Sequence, residues 1–215
     1  IRVGNFEPGV NSSVPLDRID VIDGGSNYVQ SPRVEISGGG GSGATARTFC
    51  AVDHIAVTNS GTGYTDEAIV DIIGGGGSGA TAIAMVTDGQ VTGVQIINAG
   101  SGYTSAPTIN ITPGPYRYYF PIIGNGEGNE PGTPVINENM ATAVATLRVD
   151  EIELINPGAD YTGVPTVRIF AIGGRGYGAT GQARLALARG LAYNVAALEE
   201  VFAKTDTKAG VFETD

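Results

Sequence analysis

The sequence has few of the residues that commonly carry enzyme chemistry. In 215 residues there is one cysteine, one histidine and no tryptophan. A single cysteine excludes an internal disulfide framework, and one histidine with one cysteine is too few for a zinc site of the usual ligand types. A glycosidase would need two apposed carboxylates, and no spacing in this chain singles out such a pair. We therefore predict no enzyme, no catalytic residues and no cofactor.

Basic residues are also scarce. Lysine and arginine together number 12 against 22 acidic residues, which gives a formal net charge of −10. Such a chain gains little from binding polyanions, so nucleic acid and anionic membranes are disfavoured as partners. Long apolar runs are missing as well, since none approaches the roughly 20 residues of a membrane span. The first residues, from Ile1, form no recognisable signal peptide.

Glycine, in contrast, is abundant, and it recurs at fixed places in a pattern that occurs four times. The chain has 34 glycines, and each copy of the pattern centres on a tyrosine: Tyr28, Tyr64, Tyr103 and Tyr161. Every residue nine and seven positions before each tyrosine and six and eight positions after it is aliphatic. Spacing by two predicts half-buried strands. The intervening steps GGSNY, SGTGY, AGSGY and PGADY predict a hairpin turn in every copy.

A third predicted strand follows in each copy, with alanine on its inward face. It comes directly after GGGGSG in the first two copies, and this run precedes a strand rather than the helix that a phosphate-binding loop requires. The sequence thus predicts four three-stranded units and about a dozen strands. We place the units at Leu16–Val52, Asp53–Val86, Thr87–Leu147 and Arg148–Leu185. Residues 16–185 are predicted to form one all-β, prism-like or solenoid-like domain, with a barrel as an open alternative.

The lone cysteine and the lone histidine both fall in predicted strands. Cys50 takes the place of Val86, Leu147 and Leu185 in the other units, which favours a small core residue over a nucleophile. His54 directly precedes an inward-facing aliphatic residue, so strand alternation turns it outward. Calcium binding is left open for acidic residues that do not recur between units: Asp17, Asp20, Asp23, Asp66, Glu67 and Asp71.

Three segments lie outside the repeated pattern: the first precedes it, the second interrupts it and the third follows it. Residues 1–15 lack periodicity and predict an extended N-terminal arm, which contains a glycosylation acceptor pattern at Asn11. The third unit carries an insert at 113–140 of about 22 residues beyond the spacing of the first two. Its aromatic residues suit either an interface or a loop folded over its own core, and they are Tyr116, Tyr118, Tyr119 and Phe120.

The third segment is the C-terminal stretch 186–215, in which the period changes. Apolar residues now step by three or four, which predicts an amphipathic helix followed by a polar tail. The residues expected to dock this helix on another subunit, or on its own sheet, are Leu191, Val195, Leu198 and Phe202.

The repeated units resemble glycine-rich repeats in structural proteins of tailed bacteriophages, especially marine and cyanobacterial T4-like viruses. The stretches that carry the resemblance are SGTGYTDEAIVDIIGGGGSGATAIA and AGSGYTSAPTINIT, with weaker matches at GGSNYVQSPRVEISGGGGSGATA and PGADYTGVPTVRIF. The resemblance covers about residues 16–185 and implies a structural role in a virion.

Together these features predict a non-enzymatic structural or assembly subunit of an extracellular filament or a phage particle. It would associate with itself, and with other virion proteins, through the arm, the insert and the C-terminal tail. The alternative is a carbohydrate-binding module of lectin or tail-fibre type that binds surface glycans. In that case the repeated tyrosines would stack on sugars, whereas in the structural reading they fill their own turns.

Overall fold

The computed structural model describes residues 13–64, 68–114 and 139–186, and this part of the chain is all-β, as predicted. Ten strands follow one another: β1 (Leu16–Asp23), β2 (Arg33–Ser37), β3 (Ser42–Asn59), β4 (Ile69–Ile73), β5 (Ser78–Thr87), β6 (Gln90–Ser101), β7 (Thr108–Thr112), β8 (Thr142–Ala159), β9 (Thr166–Phe170) and β10 (Thr180–Leu185). They form one four-stranded sheet, in the order β3-β8-β7-β4, and three two-stranded sheets. All pairings between these strands are antiparallel.

Ten strands rather than about twelve are present because two of them run through a unit boundary. β3 and β8 each contain 18 residues, and neither Gly nor Pro interrupts the chain where the first unit meets the second or the third meets the fourth. The second and third units are instead joined by a tight turn at Asp88 and Gly89. Both residues have positive φ, 52° and 74°, which is the geometry of a two-residue hairpin.

The predicted hairpin within each unit is wrong. β1 does not pair with β2; it pairs with β10, and β2 pairs with β9. The first half of β3 pairs with the second half of β8. All three strands of the first unit therefore pair with strands of the fourth, and we call these two units the 1–4 pair.

The second and third units pair in the same way. β4 pairs with β7, β5 with β6, and the second half of β3 with the first half of β8. We call these units the 2–3 pair. Every unit presents the same alternating aliphatic pattern, so the local sequence favours strands without choosing their partners. The two long strands, β3 and β8, are shared by both pairs.

The glycine-rich step before each tyrosine redirects the chain from one sheet to another instead of folding it back. In the first unit the Gly25 amide donates a hydrogen bond to Asp23 Oδ1 at 2.8 Å. The same bond recurs from Gly61 to Asn59, from Gly100 to Asn98 and from Gly158 to Asn156. All four glycines have φ between 60° and 65°. A Cβ at any of these glycines would overlap backbone atoms of the paired unit. Only glycine therefore fits at these four positions.

The aliphatic residues face the core as the alternation predicts. At the position nine residues before each tyrosine, Ile19, Ile55, Val94 and Ile152 are all buried. The deepest part of the core lies where the two pairs meet, around Cys50, Val52, Leu147 and Val149. Cys50 is therefore a core residue, as predicted, and burial raises the pKa of its thiol.

Candidate interaction surfaces

The four repeated tyrosines are buried, with 1–4% of each residue exposed. They cannot offer ring faces to a sugar, so the alternative in which they stack on glycans is wrong for these residues. Instead the rings of Tyr28, Tyr103 and Tyr161 rest on glycine backbone of the paired unit, and that of Tyr64 lies against Gly61 of its own unit. A Cβ on Gly77 would lie 2.5 Å from Cγ of Tyr103, and one on Gly41 would lie 2.5 Å from Cγ of Tyr161. The GGGGSG runs are thus turns that also receive a tyrosine ring.

The tyrosine hydroxyls complete the pairing of units. Tyr64 donates to the carbonyl of Ile111 at 2.9 Å and accepts from the amide of Ala141 at 2.6 Å. Tyr28 accepts from the amide of Ala179 at 3.2 Å, and burial raises the pKa of its phenol. Each of these hydroxyls binds the alanine that directly precedes the third strand of the paired unit. The tyrosines are structural residues of the pairing rather than surface contacts.

Two tyrosines also join the 1–4 pair to the 2–3 pair. The backbone of Tyr28 exchanges two hydrogen bonds with Leu147, of 3.0 and 2.8 Å, and that of Tyr103 exchanges two with Cys50, both 2.9 Å. The other two tyrosines, Tyr64 and Tyr161, lie at the ends of the two pairs that face away from this junction. There Val14 exchanges two bonds of 3.1 Å with Tyr161, and Gly89 accepts one of 3.0 Å from Tyr64. The chain itself thus occupies both ends, where a further unit would otherwise dock.

The outer faces of the 1–4 pair are charged and ion-paired. Its described residues include seven arginines and eight acidic residues. Arg184 and Arg18 both bind the carboxylate of Asp20, and these hydrogen bonds, Arg184 first, hold the pKa of Asp20 below its usual value. Arg47 pairs with Glu153 across β3 and β8. These partners are largely exposed, so each pair stabilises the fold only slightly.

The outer faces of the 2–3 pair carry almost no charge. Its described residues, 53–64, 68–114 and 139–147, include no lysine or arginine, and their acidic residues are Asp53, Asp71 and Asp88. Large apolar side chains point into solvent here, as several, such as Ile22 and Ile155, also do on the 1–4 pair. Ile83 and Met85 on β5 and Ile97 on β6 share the outward face of one two-stranded sheet, and each is 49–61% exposed. Ile69 and Ile73 are similarly exposed on β4.

A groove lies between β2 and β3, two strands that do not pair with each other. Its volume is about 300 Å³, and it is lined by residues 31–34 and 46–49 together with Thr104 and Ile172. Two arginines stand at its rim. The Arg33 guanidinium lies over the ring of Phe170, 5.7 Å from its centre, and that of Arg47 lies over Phe49 at 4.8 Å. Sequence reasoning missed this site, because Arg33 and Arg47 look like ordinary outward-facing strand residues.

The contact residues predicted from the sequence lie outside the described ranges. This holds for Asn11 in the arm, for the aromatic cluster of the insert and for the C-terminal helix, so these remain predictions: Tyr116, Tyr118, Tyr119, Phe120, Leu191, Val195, Leu198 and Phe202. His54 is exposed on β3, as predicted. Among the residues that the structure describes, no three His, Cys, Asp or Glu side chains are grouped closely enough to hold a metal ion.

Comparison with protein-family models, with curated proteins and with solved structures finds no match to this chain. Within the described ranges there is also no helix with the length and apolar character needed to cross a bilayer.

Proposed function

We propose that this protein is a non-enzymatic structural subunit that associates with itself into an oligomer or a helical filament. Its setting would be an extracellular filament or a phage particle, with other virion proteins as further partners. The resemblance of its repeats to phage structural proteins supports the setting. The uncharged, isoleucine-bearing face of the 2–3 pair is the observation that carries the self-association.

That face has the composition of a contact surface. Ile83, Met85 and Ile97 form an apolar group on one sheet face, and no lysine or arginine lies among the described residues of this pair. Exposed apolar groups with few charges around them mark sites where proteins associate. The equivalent sheet of the 1–4 pair, β1 with β10, instead carries Arg18, Asp20 and Arg184, which keeps it hydrated.

The ends of the molecule are poorer candidates. The backbone groups of Tyr161 and Tyr64 are already hydrogen-bonded to Val14 and Gly89. A unit of a second copy could pair with these tyrosines only by displacing Val14 or Gly89. Association through a side face is the simpler route, and contact between unlike faces would generate a filament. The arm, the insert and the C-terminal segment would act as additional connectors.

We also propose a prism-like arrangement within each pair. Three two-stranded ribbons would enclose each core: β1–β10, β2–β9 and the matching halves of β3–β8 in one pair, and β4–β7, β5–β6 and the remaining halves in the other. The four units would then form two prisms on shared long strands.

A matched pair of variants tests the self-association. Ile97 and Ile22 hold the same position, six residues before the tyrosine of their unit, and are 61% and 62% exposed. Ile97→Lys places a charge on the 2–3 face and is expected to weaken association at least tenfold. Ile22→Lys places the same charge on the 1–4 pair and should leave association unchanged. Light scattering after size-exclusion chromatography, with negative-stain microscopy, gives the mass and shape.

Two results would overturn the proposal. One is a wild-type chain that stays monomeric at the highest concentration reached. The other is equal loss of association in both lysine variants, which would remove the 2–3 face from the contact. A chain limited to residues 13–186 keeps Val14 on Tyr161 and retains the insert, so its association separates the face from the N-terminal arm and the C-terminal segment.

Glycan binding is the second candidate function. The buried tyrosines do not favour it, but the arginine-rimmed groove between β2 and β3 does, because it is a concave site with apolar walls and charged groups directed to its rim.

A further inference from the structure

We propose that the groove between β2 and β3 binds a carboxylated pyranose ring, the hexuronate unit of an acidic glycan. This inference rests on the second candidate function and is independent of self-association. The volume of about 300 Å³ lies at the lower limit of ligand pockets, which suits a single ring. One ring with one carboxylate also matches the two kinds of surface in the groove, apolar walls and a cationic rim.

The rim supplies the charge recognition. Arg33 and Arg47 each lie over a phenylalanine ring, which limits their motion and presents the planar guanidinium to a ligand. A guanidinium binds a carboxylate through two parallel hydrogen bonds. Arg33 has no ion-pair partner among the described residues, whereas Arg47 is paired with exposed Glu153. A surface pair of that kind exchanges readily with a ligand carboxylate.

Acidic residues near the rim weaken nonspecific electrostatic binding of anions to the groove. Glu35 lies two residues beyond Arg33 on the same strand face, and Glu151 lies opposite Phe49 on β8. With these and Glu153 nearby, the groove is not a general basic patch. A polyanion would gain little here unless its carboxylate reached Arg33 directly, so we expect recognition to depend on geometry.

The walls supply the surface for the sugar ring. Val34 and Ala46 are half-buried, and Phe49 and Ile172 line the groove beside them. These side chains suit the apolar C–H face of a pyranose. One hydroxyl adds a polar contact: Ser31 Oγ donates to the carbonyl of Tyr103 at 3.1 Å and keeps lone pairs that can accept from a sugar hydroxyl. Thr48 is buried, and its Oγ1 donates to the carbonyl of Pro32 at 2.7 Å, which fixes the floor of the groove.

The other units show that the fold does not require this arginine pair. Arg33 lies five residues after Tyr28, and Arg47 three residues after Ala44. The corresponding residues are Ile69 and Ile83 in the second unit and Thr166 and Gln182 in the fourth.

In the third unit Thr108 and Val144 occupy these places and pair with each other in the β7–β8 ladder, which closes the gap. Arginine at both positions is specific to the first unit.

The test uses a trimer of galacturonate as the probe and isothermal titration as the readout, on the full chain. We expect Arg33→Gln to lower its affinity at least tenfold and Arg47→Gln to lower it less, because Arg47 already has a partner. Arg168→Gln is the matched control, since Arg168 faces outward opposite Glu35 and does not line the groove. It should change the affinity less than twofold. The methyl-esterified trimer, which lacks the charge, should bind at least tenfold more weakly.

Three outcomes would overturn the inference: no binding of the trimer at millimolar concentration, equal loss in Arg33→Gln and Arg168→Gln, or equal binding of polyglutamate and dextran sulfate, which would indicate general anion exchange. Unfolding midpoints of each variant show whether the fold is intact. Titration with Ile97→Lys separates this result from self-association, because the groove should bind the trimer whether or not the chain assembles.

Discussion

The 1–4 pair and the 2–3 pair share a backbone plan but differ in what they show to solvent. Both use the same glycine step with its Asx hydrogen bond, both bury two tyrosines, and both pair their strands in the same order. Yet the described part of one pair carries seven arginines and that of the other none. Inward positions and glycines therefore specify the fold, while outward positions are left to function.

The gap between the second and third strands of a unit shows this division most clearly. In the first unit it is rimmed by Arg33 and Arg47, and in the second the corresponding positions hold Ile69 and Ile83. The same backbone can thus present a cationic groove or an apolar surface. Our two proposals follow this division, with ligand recognition at the first and self-association at the second.

The largest expected effect tests whether the two pairs have equivalent cores. Tyr28 and Tyr103 are 1% and 2% exposed and hold matching positions where the pairs meet. We expect Tyr28→Ala and Tyr103→Ala each to lower the free energy of unfolding by about 3 to 5 kcal/mol, because each leaves a cavity the size of a ring. Urea unfolding measures the loss, and a much smaller loss in one variant would show that the cores are not equivalent.

A smaller effect tests the close approach of glycine to the tyrosine rings. A Cβ on Gly77 would overlap the ring of Tyr103 and the carbonyl of Ser101, and one on Gly41 would overlap Tyr161 and the carbonyl of Ala159. Alanine at either site should lower the free energy of unfolding by about 1 to 3 kcal/mol through overpacking. Gly163→Ala is the control, since nothing lies within 4 Å of its added Cβ. Its unfolding midpoint should remain within experimental error of the wild type, and a large shift would contradict the steric explanation.

The smallest effect should appear only in the charged pair. The pKa of Asp20 is held down by Arg184 and Arg18, so its ionised form favours the folded state. This contribution is present above the ordinary value of 3.8 and is lost as the pH falls below it. Asp20→Asn should therefore reduce the drop in unfolding midpoint between pH 6 and pH 3. Molar salt should further reduce the difference in this drop between the wild type and the variant, because salt screens exposed ion pairs. If Asp20→Asn leaves the drop unchanged, the ion pairs do not cause it.

Much of this fold follows from the sequence, but the pairing does not. Period-two alternation places the strands and their buried faces, and the fixed glycines place the turns. Strand partners are different, because Ile19 and Ile152 occupy identical positions in units of nearly identical pattern. The local sequence therefore does not specify that β1 pairs with β10, which is distant in sequence, rather than with the neighbouring β2.

The candidate groove was hidden for a related reason. Arg33 and Arg47 are 14 positions apart and lie on strands that do not pair, so no spacing rule connects them. Aligning the units on their tyrosines does provide a signal, since only the first has arginine at both positions. The chosen contact residues of the insert and the C-terminal helix rested on their departure from the repeat, and they stay predictions.

Pairing the first unit with the last also has a consequence for how the chain is made. During synthesis the second and third units can join as soon as residue 147 has emerged, but the first, complete at residue 52, has to wait for strands that end at Leu185. At 5 to 20 residues per second, those intervening residues take about 7 to 27 s. Throughout that interval the strands of the first unit carry unpaired edges, so the ribosome-bound chain should be most open to chaperones and to misassembly there.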